Sequence, residues 1–337
     1  MSLRGHCYYG YAGLSHSESP ELLLIRISVL LTAILFALNL NGESTKQTLS
    51  QKGWLSAASY SPDGSLAIGG EEGVLQIWSS CQKPVRTYKP YDSAITALAH
   101  SPNGKLLAVG YWDGTVIIIY TDGSQLNYGE RHHVENITCI EFSKDGKFLA
   151  TGSGDDTLLI RNTKDFKVET TIELGNEYDV LCLSWTPDGK RIATGDGENE
   201  LRIWDTEDGD ELLFLEGHEE TVTSVAFSND GKILYSGSWD NHVVCWDANV
   251  GEPVHVFEFK AKEEIDPDVL NIALSPTGKF LAVNLEPNVV QIIDLETYKY
   301  LQKFIHEDTI THISFSIDSS QLAATSKGKV YIHRTPP

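Results

Sequence analysis

The chain has 337 residues, 22% of them charged and 9% aromatic, with a formal net charge of −21. That balance supplies enough apolar material for a folded core and excludes disorder as the default state. The excess acid repels nucleic-acid phosphates and favours basic partners, or serves solubility alone.

The first predicted feature is an apolar segment over 22–40, LLLIRISVLLTAILFALNL. Its uncharged run, Ile27 to Leu40, is shorter than a spanning helix of ~20 residues, whereas counting through Arg26 reaches that length. Residues 1–42 are therefore read as an N-terminal extension: a membrane anchor, a signal, a segment packed against the rest, or an incorrect start. They carry no net charge, because Arg4 and Arg26 balance Glu18 and Glu21, so all the excess acid lies in a domain over 43–337.

From residue 54 onward a short unit recurs: an apolar strand, then Ser or Thr, then a tight turn. The turns read SPDGS (61–65), SPNGK (101–105), SKDGK (143–147), TPDGK (186–190), SNDGK (228–232), SPTGK (275–279) and SIDSS (316–320). Their starts lie 40, 42, 43, 42, 47 and 41 residues apart, the period of a four-stranded propeller blade. Pro presets φ, Asp or Asn bonds its own backbone, and Gly accepts positive φ, so each turn is a hairpin corner. The flanking runs, such as VTSVAFS (222–228), ILYSGS (233–238) and HVVCWD (242–247), have the β-branched and aromatic content of half-buried strands. A more polar fourth strand, such as ELLFLEGH (211–218), leads to the next unit. These elements predict an all-β, seven-bladed β-propeller of four-stranded blades. The seventh unit ends in KVYIHRTPP with no room for a fourth strand, so 44–51 is expected to supply it by pairing with 329–333, ahead of the first inner strand at 54–61.

LYSGSWDNHVVCWD at 234–247, preceded by Gly217-His218, resembles the repeat signature of the WD-repeat family. The resemblance implies a buried structural network of His218, Ser236, Asp240 and Trp246, and this fifth unit is the complete copy. The fourth keeps Thr194 and Trp204 but has Asn176 and Glu198. The third keeps His133, Thr151 and Asp155 with Arg161 at the Trp position, and the first keeps Glu72 and Trp78. Ile293 and His333 take the Trp position in the sixth and seventh, which are expected to rely on apolar packing.

Cys7, Cys81, Cys139, Cys182 and Cys245 are odd in number and form no CxxC pair, so neither a disulfide framework nor a zinc site is expected. A reducing, intracellular compartment, cytoplasmic or nuclear, follows for the propeller. No nucleophile elbow, HExxH helix, P-loop or dinucleotide fingerprint is present, and no cofactor or metal is expected. His133 of the pair His132-His133 falls on the structural His position, and the acidic run 205–211, DTEDGDE, lacks calcium-loop spacing. Asn136-Ile137-Thr138 is a formal glycosylation acceptor, of consequence only if the domain is exported.

The function expected is a non-catalytic, monomeric scaffold or adaptor that binds proteins or peptides, basic ones with Lys or Arg foremost, and no nucleic acid. The alternatives are a membrane-tethered or exported receptor that uses 22–40, and a propeller enzyme with scattered catalytic residues. Trp112 and Trp239 precede turn residues Asp113 and Asp240, and Glu135, Tyr178, Glu220 and Asp308 stand at the starts of first strands. The repeat topology predicts that all six share one face, as aromatic anchors and converging negative charge.

Overall fold

The computed structural model describes residues 47–79, 84–122, 128–131, 133–175, 179–260, 268–285 and 288–336, and every regular element among them is a β-strand. The extension 1–42, with its apolar segment, lies outside the described residues. The strands are β1 Gln47–Tyr60, β2 Leu66–Gly70, β3 Leu75–Trp78, β4 Pro84–Tyr88, β5 Ile95–His100, β6 Leu106–Tyr111, β7 Thr115–Tyr120, β8 Tyr128–Arg131, β9 Ile137–Phe142, β10 Phe148–Ser153, β11 Thr157–Asn162 and β12 Val168–Glu173. They continue as β13 Val180–Trp185, β14 Arg191–Asp196, β15 Leu201–Asp205, β16 Glu211–Leu215, β17 Val222–Phe227, β18 Ile233–Ser238, β19 His242–Asp247, β20 Pro253–Glu258, β21 Val269–Leu274, β22 Phe280–Leu285, β23 Val289–Asp294, β24 Lys299–Ile305, β25 His312–Phe315, β26 Gln321–Thr325 and β27 Lys327–Arg334.

The hairpin corners form as their residues dictate. In the third unit Ser143 Oγ donates to Asp145 Oδ1 (2.8 Å), the same carboxylate accepts Lys147 N–H (3.0 Å), and Gly146 has φ 71°. In the last unit Ser319 takes that left-handed position, at φ 59°, and its hydroxyl accepts Thr277 N–H from the neighbouring sheet. Successive sheets approach closely through glycines at the ends of second strands. A Cβ on Gly195 would lie 2.5 Å from Val222, and one on Gly237 2.6 Å from Val269.

Counted by hydrogen-bonded sheet, this propeller has six blades and not the expected seven: five four-stranded sheets and one seven-stranded sheet in the order β25-β26-β27-β1-β2-β3-β4. The correction has one physical cause. Residues 44–51 and 54–61, expected as separate strands, fall largely within one continuous β1. Its start pairs with β27 (Gln47↔Ile332 to Ser50↔Lys329) and its end with β2 (Leu55↔Gly70 to Tyr60↔Leu66). A register shift between Ser50 and Trp54, with Gly53 at φ 83°, carries the strand from one partner to the other. Leu55, Ile68, Trp78, Ala323 and Val330 then share a core between the two halves of that sheet.

Candidate protein-interaction site

In each antiparallel unit the start of the first strand and the turn between the second and third strands fall at the same end of the sheet, and that end carries the predicted site residues. Asp240 organises it in the fifth unit. His218 Nδ1 lies 2.7 Å from Asp240 Oδ2 and Nε2 lies 2.7 Å from Ser236 Oγ, which also accepts the Trp246 indole N–H at 2.8 Å. Asp240 further accepts Glu219 N–H (3.1 Å) and His242 N–H (3.0 Å). Burial alone would push this carboxyl up, but His218 and the two backbone N–H groups outweigh that and hold it below the usual carboxylate range. The network joins the turn holding Trp239 to the loop holding Glu220, whose carbonyl also accepts the Ser238 hydroxyl at 2.9 Å.

The third unit shows that the arrangement survives loss of tryptophan. His133 bridges Asp155 (3.0 Å) and Thr151 (2.9 Å), and Arg161 Nη1 donates to Thr151 Oγ1 at 2.7 Å, the bond that Trp204 makes to Thr194 at 2.8 Å in the fourth. In the first, Trp78 Nε1 donates to Gln76 at 3.1 Å. Asn176 lies outside the described residues. The seventh unit corrects the expectation of purely apolar packing: His333 Nε2 lies 2.8 Å from His306 Nε2, and its ring stacks on Phe304 at 3.9 Å. Ala324 replaces the hydroxyl residue there, so the two imidazoles pair directly. In the sixth, Ile293 is buried in an apolar cluster, as expected.

Trp112 and Trp239 are 64% and 47% exposed, large values for indoles on short turns. Gly114, at φ 83°, lets the Trp112 turn press against the loop before β9. A Cβ there would meet the carbonyl oxygens of His133 and Glu135 at 2.4 and 2.5 Å, so Trp112 and the exposed Glu135 belong to one local surface. Trp239 and the exposed Glu220 form a second such pair, on the sheet β17–β20. Asp308 differs, because Lys329 Nζ lies 2.8 Å from its carboxylate and matches its charge within the protein. Tyr178 lies outside the described residues.

Among the described residues no three His, Cys, Asp or Glu side chains gather as metal ligands. In the acidic run, Asp205 and Asp208 accept the N–H groups of Glu207 (2.8 Å) and Asp210 (3.0 Å), which makes it a self-bonded turn. Cys139, Cys182 and Cys245 are free thiols, pushed up by burial.

A family model described as WD domain, G-beta repeat matches residues 82–119, 125–162, 167–205 and 209–247, and one described as Anaphase-promoting complex subunit 4 WD40 domain matches 257–318. This chain belongs to the WD-repeat family. WD-repeat propellers are generally non-catalytic and bind proteins. A curated relative, "Putative guanine nucleotide-exchange factor SED4" of Saccharomyces cerevisiae, is 40% identical over 62 residues, which is 18% of this WD-repeat chain and 6% of the relative's length.

Proposed function

We propose that this WD-repeat protein is a non-catalytic scaffold that holds a Lys/Arg-containing protein or peptide segment on the end of the propeller carrying Trp112, Glu135, Trp239 and Glu220. The observation that carries the reading is the pairing of each exposed indole with an exposed carboxylate, since rigid aromatic surface anchors a contact and nearby charge steers it. Asp308 and Tyr178 belong to the same predicted rim, Asp308 as a position whose charge is already matched. The free thiols, Cys182 and Cys245 buried and Cys139 half-buried, favour a reducing, intracellular compartment. Residues 47–50 and 55–60 of β1 serve two different neighbours, and the first strands of the repeats, β1, β5, β9, β13, β17, β21 and β25, line a shared central channel. The segment shared with the exchange factor is about the length of one and a half repeats, too short to transfer that protein's activity.

The test is affinity capture followed by binding kinetics. Glu135→Lys/Glu220→Lys is expected to slow association with the captured partner and flatten its salt dependence, and Trp239→Ala to speed dissociation. Unchanged kinetics in both folded variants would move the contact to another face.

A further inference from the structure

A cavity of about 280 Å³ opens between β1–β4 and the sheet β5–β8, and its walls include Leu75, Ile77, Leu107, Ile119, Tyr88 and His100. Its origin lies in one position of the repeat. The residue before each corner Ser or Thr packs toward the preceding unit, and Phe142, Trp185, Phe227 and Phe315 are buried there. In the sixth unit that place is held by Leu274, and Phe257 and Phe259 fill the interface from the other side. In the second unit it is His100, and the core between these two blades contains no phenylalanine or tryptophan among the described residues. Tyr88, at the position of Phe257, is half-buried and lines the cavity. The interface thus lacks an aromatic ring at this one repeat position, its own aromatic residues being the buried Tyr111 and the half-buried Tyr88.

The cavity is built to orient what fills it. Ser59 Oγ accepts the His100 backbone N–H (3.1 Å) and lies 3.0 Å from Nδ1; with the hydroxyl proton assigned to that contact, the ring carries its own proton on Nε2 as a donor. Arg86 reaches across from β4, with Nη1 2.7 Å from Thr121 O and 3.4 Å from Tyr88 Oη. β4 is the outermost strand of its sheet, and Val85 on it is 56% exposed and lines the same opening. A strand edge with no sheet partner among the described residues, beside an apolar hole, accepts an extended peptide that places one side chain in the hole.

We infer that this inter-blade cavity is a second binding site, distinct from the acidic rim, for a tyrosine side chain carried on an extended peptide segment. The phenol ring replaces the missing aromatic, its oxygen accepts from His100 Nε2, and the flanking peptide runs along β4. The site uses none of the rim residues, so its test is independent of the proposed rim function.

The experiment follows methyl resonances of Ile77 and Ile119 in the full chain during titration with p-cresol, with toluene, and with the capped peptide acetyl-Val-Tyr-Val-amide. Saturable shifts are expected with p-cresol, at least tenfold weaker binding of toluene, and tighter binding of the peptide than of p-cresol. His100→Phe, which supplies the ring from within, is expected to abolish all three, and Ile119→Phe does the same if the His100 variant fails to fold. Absence of saturable p-cresol binding, undiminished binding in the filled variant, or a peptide that binds no better than p-cresol overturns the assignment.

Discussion

Asp240→Ala removes the acceptor for three donors at once: the His218 ring, and the backbone N–H groups of Glu219 and His242. The carboxylate side chain is only 7% exposed, and His218 beneath it 1%, so little water can replace it. Taking about 1 kcal/mol for each backbone bond and about 2 for the bond to the imidazole, the loss comes to about 3–4 kcal/mol. At roughly 2–4 °C per kcal/mol this lowers the melting temperature by on the order of 10 °C. Differential scanning calorimetry on the parent, Asp240→Ala and the adjacent surface variant Trp239→Ala checks it, because only the first should move. The sign of the pH dependence follows as well. The folded carboxyl lies below its ordinary range, so its contribution is present above that range and disappears as pH falls through the lower folded value. A melting temperature for Asp240→Ala indistinguishable from the parent at neutral pH would refute the network's role in stability.

A chain beginning at Trp54 lacks residues 47–50, exposes the outer edge of β27, and should melt lower and aggregate with rising concentration, relative to a chain beginning at Glu43; light scattering decides. Arg161→Trp should leave stability within about 1 kcal/mol of the parent, whereas Arg161→Ala should cost about 3 kcal/mol by denaturant titration, since only the former refills the site beside Thr151. Burial pushes Glu141 up to about 7, so its ionised form costs stability as pH rises from its ordinary range through 7. Glu141→Gln should therefore stabilise by on the order of 3 kcal/mol at pH 8 and by little at pH 4.5. Burial pushes His100 and His312 down to about 4, so both withdraw stability as pH falls from 6.5 toward 4, and His100→Phe should flatten the melting profile over that window.

The corners and the fifth-unit network were legible because each is encoded within one repeat: Ser143, Asp145 and Gly146 bond to one another, and His218, Ser236, Asp240 and Trp246 recur at family spacing. Pairing of the N-terminal strand with 329–333 was legible from the missing fourth strand. The merging of blades was not, because β1 must pass from one partner to another through residues 51–53, and strand propensity carries no such boundary. The His306–His333 pair was missed because it depends on Ala324 lacking a hydroxyl, a joint property of three positions. The displacement of Phe by His100 was visible in the aligned repeats, but a single polar residue in an aromatic column signals a cavity only when no neighbouring strand fills it. The fate of each rim charge, such as Asp308 against Lys329, required side-chain geometry.

The continuous β1 also sets an order of assembly. Its two ends bond to strands at opposite extremes of the chain, and Thr311 Oγ1 donates to Leu55 O across the same seam. Bringing such distant segments together carries the largest loop-closure cost in the molecule, so the seam must form late, after the intervening hairpins have shortened the path. During synthesis β2, β3 and β4 emerge at once and can dock on the end of β1, while its start waits with an open edge until β27 leaves the ribosome. The strand that completes the ring is thus also the one exposed longest, and the nascent chain is most vulnerable to partners other than itself at Gln47–Ser50.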